Sequence, residues 1–202
     1  MLYKKLGKLD EGFISVLKSM IMFNKDDSLG YQWIEFDKDI NEFFMQDYIG
    51  DLKIAYDLKN DKWIQKAFYS PPSSGWKIHK DGIDCKCALN IALQCNETDW
   101  VRWYDEDYIN ELAETRLNTH AAGNKGNSRN VDIEAYEDVE YIDELVVEPG
   151  DVYLVNTDVF HSFKCGGPLD RIIVQNKLRF NPSMEEACRV LENKSFKSLL
   201  SL

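Results

Sequence analysis

Four residues carry the chemistry this sequence can do: His79, Asp81, His161 and Arg171. His79 and Asp81 sit in Trp76-Lys77-Ile78-His79-Lys80-Asp81-Gly82. His161 sits in Val159-Phe160-His161-Ser162, and Arg171 opens Arg171-Ile172-Ile173-Val174. Two imidazoles and one carboxylate are a ligand set for a single metal ion, non-haem iron(II) above all, that leaves coordination positions open. On a strand, residues i and i+2 point to the same side, so His79 and Asp81 can reach one ion. A cation ten residues past the second His could hold the far end of a dicarboxylate co-substrate. Each signal is weak alone. The chain has 35 acidic residues and three His, so one His-x-Asp is unsurprising, and a single His on an apolar strand is usually structural. The combination is what narrows the reading.

The elements that would hold these residues follow from patterning. At 202 residues the chain is long enough for one domain with a sizeable core, and 44% of it is hydrophobic. The expected organisation is a single domain over 1–202, with a helical support region over 1–70, a β core over 76–180 and a C-terminal helix over 183–202. Asp10 can cap a helix whose apolar positions Phe13, Val16, Leu17, Met20 and Ile21 share one face. A second helix is expected over 39–48, and Ser183 caps a last one reaching Leu191. Residues 63–69 are ambiguous. Pro71-Pro72-Ser73-Ser74-Gly75 is a break, after which short strands dominate: 76–80, 87–95, 100–104, 145–147, 151–156, 160–164 and 171–178. In 87–95, Leu89, Ile91 and Leu93 share one face and Ala88, Asn90 and Ala92 the other. The small face suits either a cavity wall or solvent. Glu148-Pro149-Gly150 reads as the turn of a hairpin. The polar stretch 105–143 reads as a lid, part of a substrate rim or a mobile loop. The fold class is therefore mainly β with an α layer: a cupin-like jelly roll, or double-stranded β-helix, backed by N-terminal helices.

Bulk properties exclude other classes. Net charge is −11, which makes nucleic acid an unlikely partner because phosphate binding needs clustered Lys and Arg. No segment approaches a membrane span, and the start of the chain is not a signal peptide, so no membrane partner is expected. Five cysteines without framework spacing read as reduced thiols, and hence a cytoplasmic setting. Cys85-Lys86-Cys87 near His79 raises structural zinc, but the spacing is wrong and there is no second half. His120 reads as a loop residue.

The order His79-x-Asp81, His161, Arg171 resembles the Fe(II)/2-oxoglutarate-dependent oxygenases, of the small bacterial and phage, prolyl-hydroxylase-like type. Pro149-Gly150-Asp151-Val152-Tyr153-Leu154-Val155-Asn156-Thr157 leading into Phe160-His161-Ser162-Phe163 is similar to that family's distal-His region. Leu89-Asn90-Ile91-Ala92-Leu93 looks like its strand segment after the metal pair. The likeness covers about 76–180. The resemblance implies a double-stranded β-helix, iron(II) held by His79, Asp81 and His161, and 2-oxoglutarate as co-substrate with Arg171 on its distal carboxylate. It also implies O2 consumption and hydroxylation of a peptidyl, amino-acid or other small-molecule substrate, with release of succinate and CO2. Some members carry Ser two residues after that Arg, where this chain has Ile173. The missing hydroxyl must come from elsewhere, with Tyr104, Tyr69 and Thr157 as candidates, and Asn90 could supply an amide. The rival readings are a cupin-like metalloenzyme that does not use 2-oxoglutarate and a non-catalytic jelly-roll binding module. Oligomeric state is not legible in the sequence.

Overall fold

The computed structural model describes residues 1–26, 29–37, 39–40, 65–81, 85–115, 122–123, 129–131, 133, 135–178 and 181–192. His120 and residues 41–48 of the second expected helix lie outside the described residues. In chain order the elements are β1 (Tyr3–Lys8), α1 (Glu11–Phe23), β2 (Gln32–Glu35), β3 (Gln65–Ser70), β4 (Gly75–Lys80), β5 (Cys87–Gln94), β6 (Trp100–Trp103), α2 (Glu106–Thr115), β7 (Ala122–Gly123), β8 (Arg129–Asn130), β9 (Asp143–Leu145), β10 (Asp151–Asn156), β11 (His161–Lys164), β12 (Arg171–Lys177) and α3 (Met184–Glu192).

Among the described residues the strands form two six-stranded sheets, ordered β1-β10-β5-β12-β3-β2 and β7-β8-β4-β11-β6-β9. Every ladder is antiparallel. From β3 to β6 the chain alternates between the sheets, and from β9 it crosses again at each step to β12. Strands distant in sequence therefore become neighbours, which is the jelly-roll arrangement.

Alternation along β5 decides the layering. Leu89, Ile91 and Leu93 pack with Phe13, Ile14, Leu17 and Ile21 of α1 and with Ala187 and Cys188 of α3. Ala88 and Ala92 face the other sheet instead, alongside Trp103, Val101, Tyr153 and Ile173. Helix α1 starts where Asp10 accepts hydrogen bonds from the amides of Gly12 and Phe13. Its buried stripe runs through Ile14, whereas Val16 is exposed. Helix α3 opens with a capping box: the Glu186 amide donates to Ser183 Oγ and the Ser183 amide to Glu186 Oε2.

Three expectations are corrected. The region 1–70 is not only helical support, because β1, β2 and β3 all join the first sheet. Glu148-Pro149-Gly150 does not close a hairpin, because β9 pairs with β6 and β10 with β1 and β5. The turn instead carries the chain from one sheet to the other. Gly150, at φ +94°, donates to the Ala92 carbonyl and accepts from the Leu9 amide. The stretch 105–143 is not an open lid in its described parts. Helix α2, Val131, Ile133, Tyr136 and Val139 form a third core with Ile78 and Phe160 on the outer face of the second sheet. Strand β8 extends that sheet beside β4. Among the described residues no helix is long and apolar enough to cross a membrane.

Candidate metal and co-substrate site

The fold brings the metal-binding candidates together. Strands β4 and β11 pair with His79 opposite His161, so the two imidazoles stand side by side with centroids 4.2 Å apart. Asp81 follows β4, where its amide donates to the Thr157 carbonyl. That bond turns the carboxylate back toward the rings: Asp81 Oδ1 lies 3.4 Å from His79 Nε2 and 4.0 Å from His161 Nε2. One ligand atom from each residue lies within 4.8 Å of the other two, the one such group among the described residues.

The backbone settles which nitrogen is available. His79 Nδ1 donates to the Lys77 carbonyl at 2.8 Å and His161 Nδ1 to the Val159 carbonyl at 2.9 Å. Each ring is thereby fixed with its proton on Nδ1 and a lone pair on Nε2, aimed at Asp81. Burial, reinforced by the neighbouring His79, pushes the His161 pKa down to about 4. The imidazole is therefore neutral at physiological pH, the form a metal needs. The donor set and its tautomers fit a single divalent ion with positions left open.

Arg171 completes the constellation. It opens β12, is 4% exposed, and faces the space between the sheets, where its guanidinium lies over the Phe163 ring at 4.6 Å. Among the described residues it has no carboxylate partner, and its Nε has no hydrogen-bond acceptor. Phe163 is two residues along β11 from His161, about 7 Å at strand spacing. The carboxyl carbons of a five-carbon diacid are about 5 Å apart.

Other unsatisfied polar atoms surround the cation. Ser70 pairs with Arg171 across β3 and β12, and its Oγ is buried without a partner. Tyr153 pairs with Asn90 across β10 and β5; both side chains are buried, the Asn90 amide lies beside the Tyr153 hydroxyl, and among the described residues neither Tyr153 Oη nor Asn90 Oδ1 has a well-formed hydrogen bond. Tyr153 packs in the inner cluster and the Arg171 charge reaches it. Asn90 therefore lines the inner space, the cavity-wall alternative of the two left open by the sequence.

The remaining candidate hydroxyls are elsewhere. Tyr104 is turned away from this space, because it follows Trp103 and neighbours on an extended chain face opposite ways. Trp103 points inward, while Tyr104 lies in the outer core with its hydroxyl 2.6 Å from Ser162 Oγ. Tyr69 faces the helices and accepts from Lys25 Nζ at 3.0 Å. Thr157 donates to the Cys85 carbonyl. Ser70, one residue past Tyr69, and Tyr153 are the hydroxyls that sequence reasoning missed. Only the cross-strand register reveals them. All five cysteines are free and buried, and Cys87 Sγ packs against Met184 Sδ; among the described residues Cys85-x-Cys87 gathers no third ligand.

No family model matches the sequence, and no curated protein matches it significantly. Solved structures do match the fold. HygX from Streptomyces hygroscopicus, crystallised with nickel and 2-oxoglutarate bound, superposes with a TM-score of 0.58 at 11% identity, over 88% of this chain and 83% of that one. The epimerase SnoN, in complex with Fe3+, alpha-ketoglutarate and nogalamycin RO, gives 0.53 at 10% identity, over 86% and 77%. AviO1 from Streptomyces viridochromogenes gives 0.50 at 10% identity, over 90% and 91%. At these identities the likeness is one of fold: the jelly roll, which in HygX and SnoN was crystallised with 2-oxoglutarate bound.

Proposed function

We propose that this protein is an Fe(II)- and 2-oxoglutarate-dependent dioxygenase that oxidises a C–H bond of a small-molecule or peptidyl substrate. The observation that carries the reading is Arg171. A guanidinium buried without a counter-ion is costly, and an anionic ligand relieves the cost. Its fork matches a carboxylate in two parallel hydrogen bonds. Ser70 and Tyr153 add hydroxyls for the same carboxylate, in place of the Ser that Ile173 replaces, and Asn90 adds an amide deeper in the space. His79, Asp81 and His161 would hold the metal by Nε2, a carboxylate oxygen and Nε2. Bound iron(II) with 2-oxoglutarate supplies activation of O2, the co-substrate leaving as succinate and CO2.

The chain's own residues do the positioning. The Lys77 and Val159 carbonyls hold the two imidazoles in their metal-binding tautomer, and the Thr157 carbonyl fixes the turn that aims Asp81. Phe163 and Ile173 exclude water from the space in which Arg171 waits, so its charge acts in a low dielectric. Hydroxylation is the outcome we infer. The epimerase SnoN, with Fe3+ and alpha-ketoglutarate, makes stereochemical inversion the second one.

Succinate formation from 2-oxoglutarate, measured with Fe(II) and O2 even without a prime substrate, tests the reading. His161→Ala should abolish it while leaving cooperative unfolding intact. Metal binding that is indifferent to 2-oxoglutarate would favour the cupin-like alternative, and no metal binding the non-catalytic one.

A further inference from the structure

The approach to the metal ligands is built of rings. Between two cross-strand pairs, His79 with His161 and Trp76 with Phe163, β4 has two residues, Lys77 and Ile78, where β11 has one, Ser162. This bulge puts Trp76 on the same face as His79, as bulges beside functional sites commonly re-aim a side chain. The indole and the His79 imidazole are close to perpendicular, their centroids 6.3 Å apart at 76°. Beside it the Tyr31 ring lies 5.2 Å away, inclined by 35°. Tyr31 meets Phe163 at 6.1 Å, and Phe163 carries Arg171. Aromatic surface thus runs from the co-substrate end of the site to the metal end. It finishes on Trp76, which remains 41% exposed.

A polar group accompanies the rings. Tyr31 Oη accepts from Trp33 Nε1 at 2.9 Å, and among the described residues its own proton has no acceptor. Burial raises its pKa, so the phenol stays protonated and able to donate.

We propose that Trp76 and Tyr31 bind the prime substrate, and that the substrate is a saturated ring bearing oxygen substituents, of the pyranose or cyclitol class. This rests on the oxygenase reading for the reaction, but not for the binding. The polarised C–H bonds on one side of such a ring suit the negative face of an indole. They also present sp3 C–H bonds beside the metal, and a ring oxygen or hydroxyl takes the Tyr31 proton. A flat arene would stack as well, but it has no sp3 C–H to present. A quaternary ammonium would sit on the indole, but it has no acceptor for Tyr31.

Saturation-transfer NMR tests the proposal on the full chain loaded with Zn(II) and 2-oxoglutarate, which cannot turn over. The probes are methyl β-glucopyranoside, phenol and tetramethylammonium. The expected result is transfer to the glucoside, strongest at its ring protons. Trp76→Ala should weaken its binding by about tenfold, Tyr31→Phe should weaken it too, and Trp76→Phe should retain most of it. The 2-oxoglutarate signal, unchanged in Trp76→Ala, shows that this variant is folded; if it is lost there, Trp76→Leu takes its place. Absence of transfer to the glucoside, transfer unaffected by Trp76→Ala or by the Trp76→Leu that replaces it, or preference for phenol or tetramethylammonium overturns the proposal. Trp76-dependent glucoside binding in a protein that ignores 2-oxoglutarate would leave the ring site standing and remove the oxygenase reading instead.

Discussion

Replacing Arg171 with Met should push two properties in opposite directions. Without ligand, the guanidinium is 4% exposed and has no carboxylate partner among the described residues. The penalty for burying such an ion is several kcal/mol even after relaxation. Met keeps most of the stem and loses the contact with the Phe163 ring, a term of about 0.5–2 kcal/mol. The desolvation term is the larger, so the ligand-free variant should be at least as stable as the parent. Binding of 2-oxoglutarate should weaken by about 2–5 kcal/mol, the cost of removing one partner from a buried charge pair. That corresponds to a dissociation constant raised about 30- to 4,000-fold. Urea unfolding with and without 2-oxoglutarate gives the first quantity, and calorimetric titration of the Zn(II)-loaded protein gives the second. The parent should gain stability as 2-oxoglutarate is added and the variant should not. A variant less stable by 2 kcal/mol or more, with unchanged 2-oxoglutarate affinity, would refute the argument and make Arg171 a structural cation.

Tyr153→Phe removes a buried hydroxyl that makes no well-formed hydrogen bond among the described residues, with only the Asn90 amide beside it, so ligand-free stability should change little, while calorimetry should show 2-oxoglutarate binding weakened by about 1.5–3 kcal/mol. Acid should destabilise the metal-free protein through His161, whose pKa is pushed down to about 4 in the folded chain, against about 6.5 for a free imidazole. Between those values the unfolded chain holds the extra proton, so stability falls as pH drops through the window. The loss is about 3 kcal/mol and complete below the folded value; urea midpoints at pH 7 and pH 4, compared with those of His161→Phe, isolate it. Leu17→Ala, at a fully buried position between α1 and the first sheet, should cost about 3–5 kcal/mol in chemical denaturation without altering 2-oxoglutarate affinity.

The parts of the site that the sequence reveals are those whose chemistry is carried by residue type. His79, Asp81 and His161 stand out because few side chains bind metals, and the fold does bring them within ligand distance. The alternation in β5 likewise shows through, because a strand buried on both faces still separates large from small residues. What stays hidden depends on pairing. Ser70 is an unremarked serine until β3 is laid against β12, and Trp76 would face outward on a regular strand. Only a register shift against β11 turns it toward His79. The expected hairpin at Glu148-Pro149-Gly150 fails for a related reason. The local turn chemistry is correct, but nothing local says that the strands on either side belong to different sheets. Tyr104 was a reasonable hydroxyl by type, and its orientation depends on which of two neighbouring aromatics the interior accepts.

The antiparallel pairing of Tyr3 with Val155 and of His79 with His161 also bears on how the chain comes to be folded. Neither pair can form until most of the polypeptide has been made, and at about 5–20 residues per second that takes roughly ten seconds or more. During that interval β1 has no partner, His79 and Asp81 wait for the third metal ligand, and the inner face of β5 lacks Tyr153 and Ile173 to pack against. Such non-local order predicts slow folding. It also means that the metal ligands converge only in a chain whose sheets have already closed, so a nascent or truncated form cannot hold the ion. Metal capture then reports completed folding and plays no part in starting it.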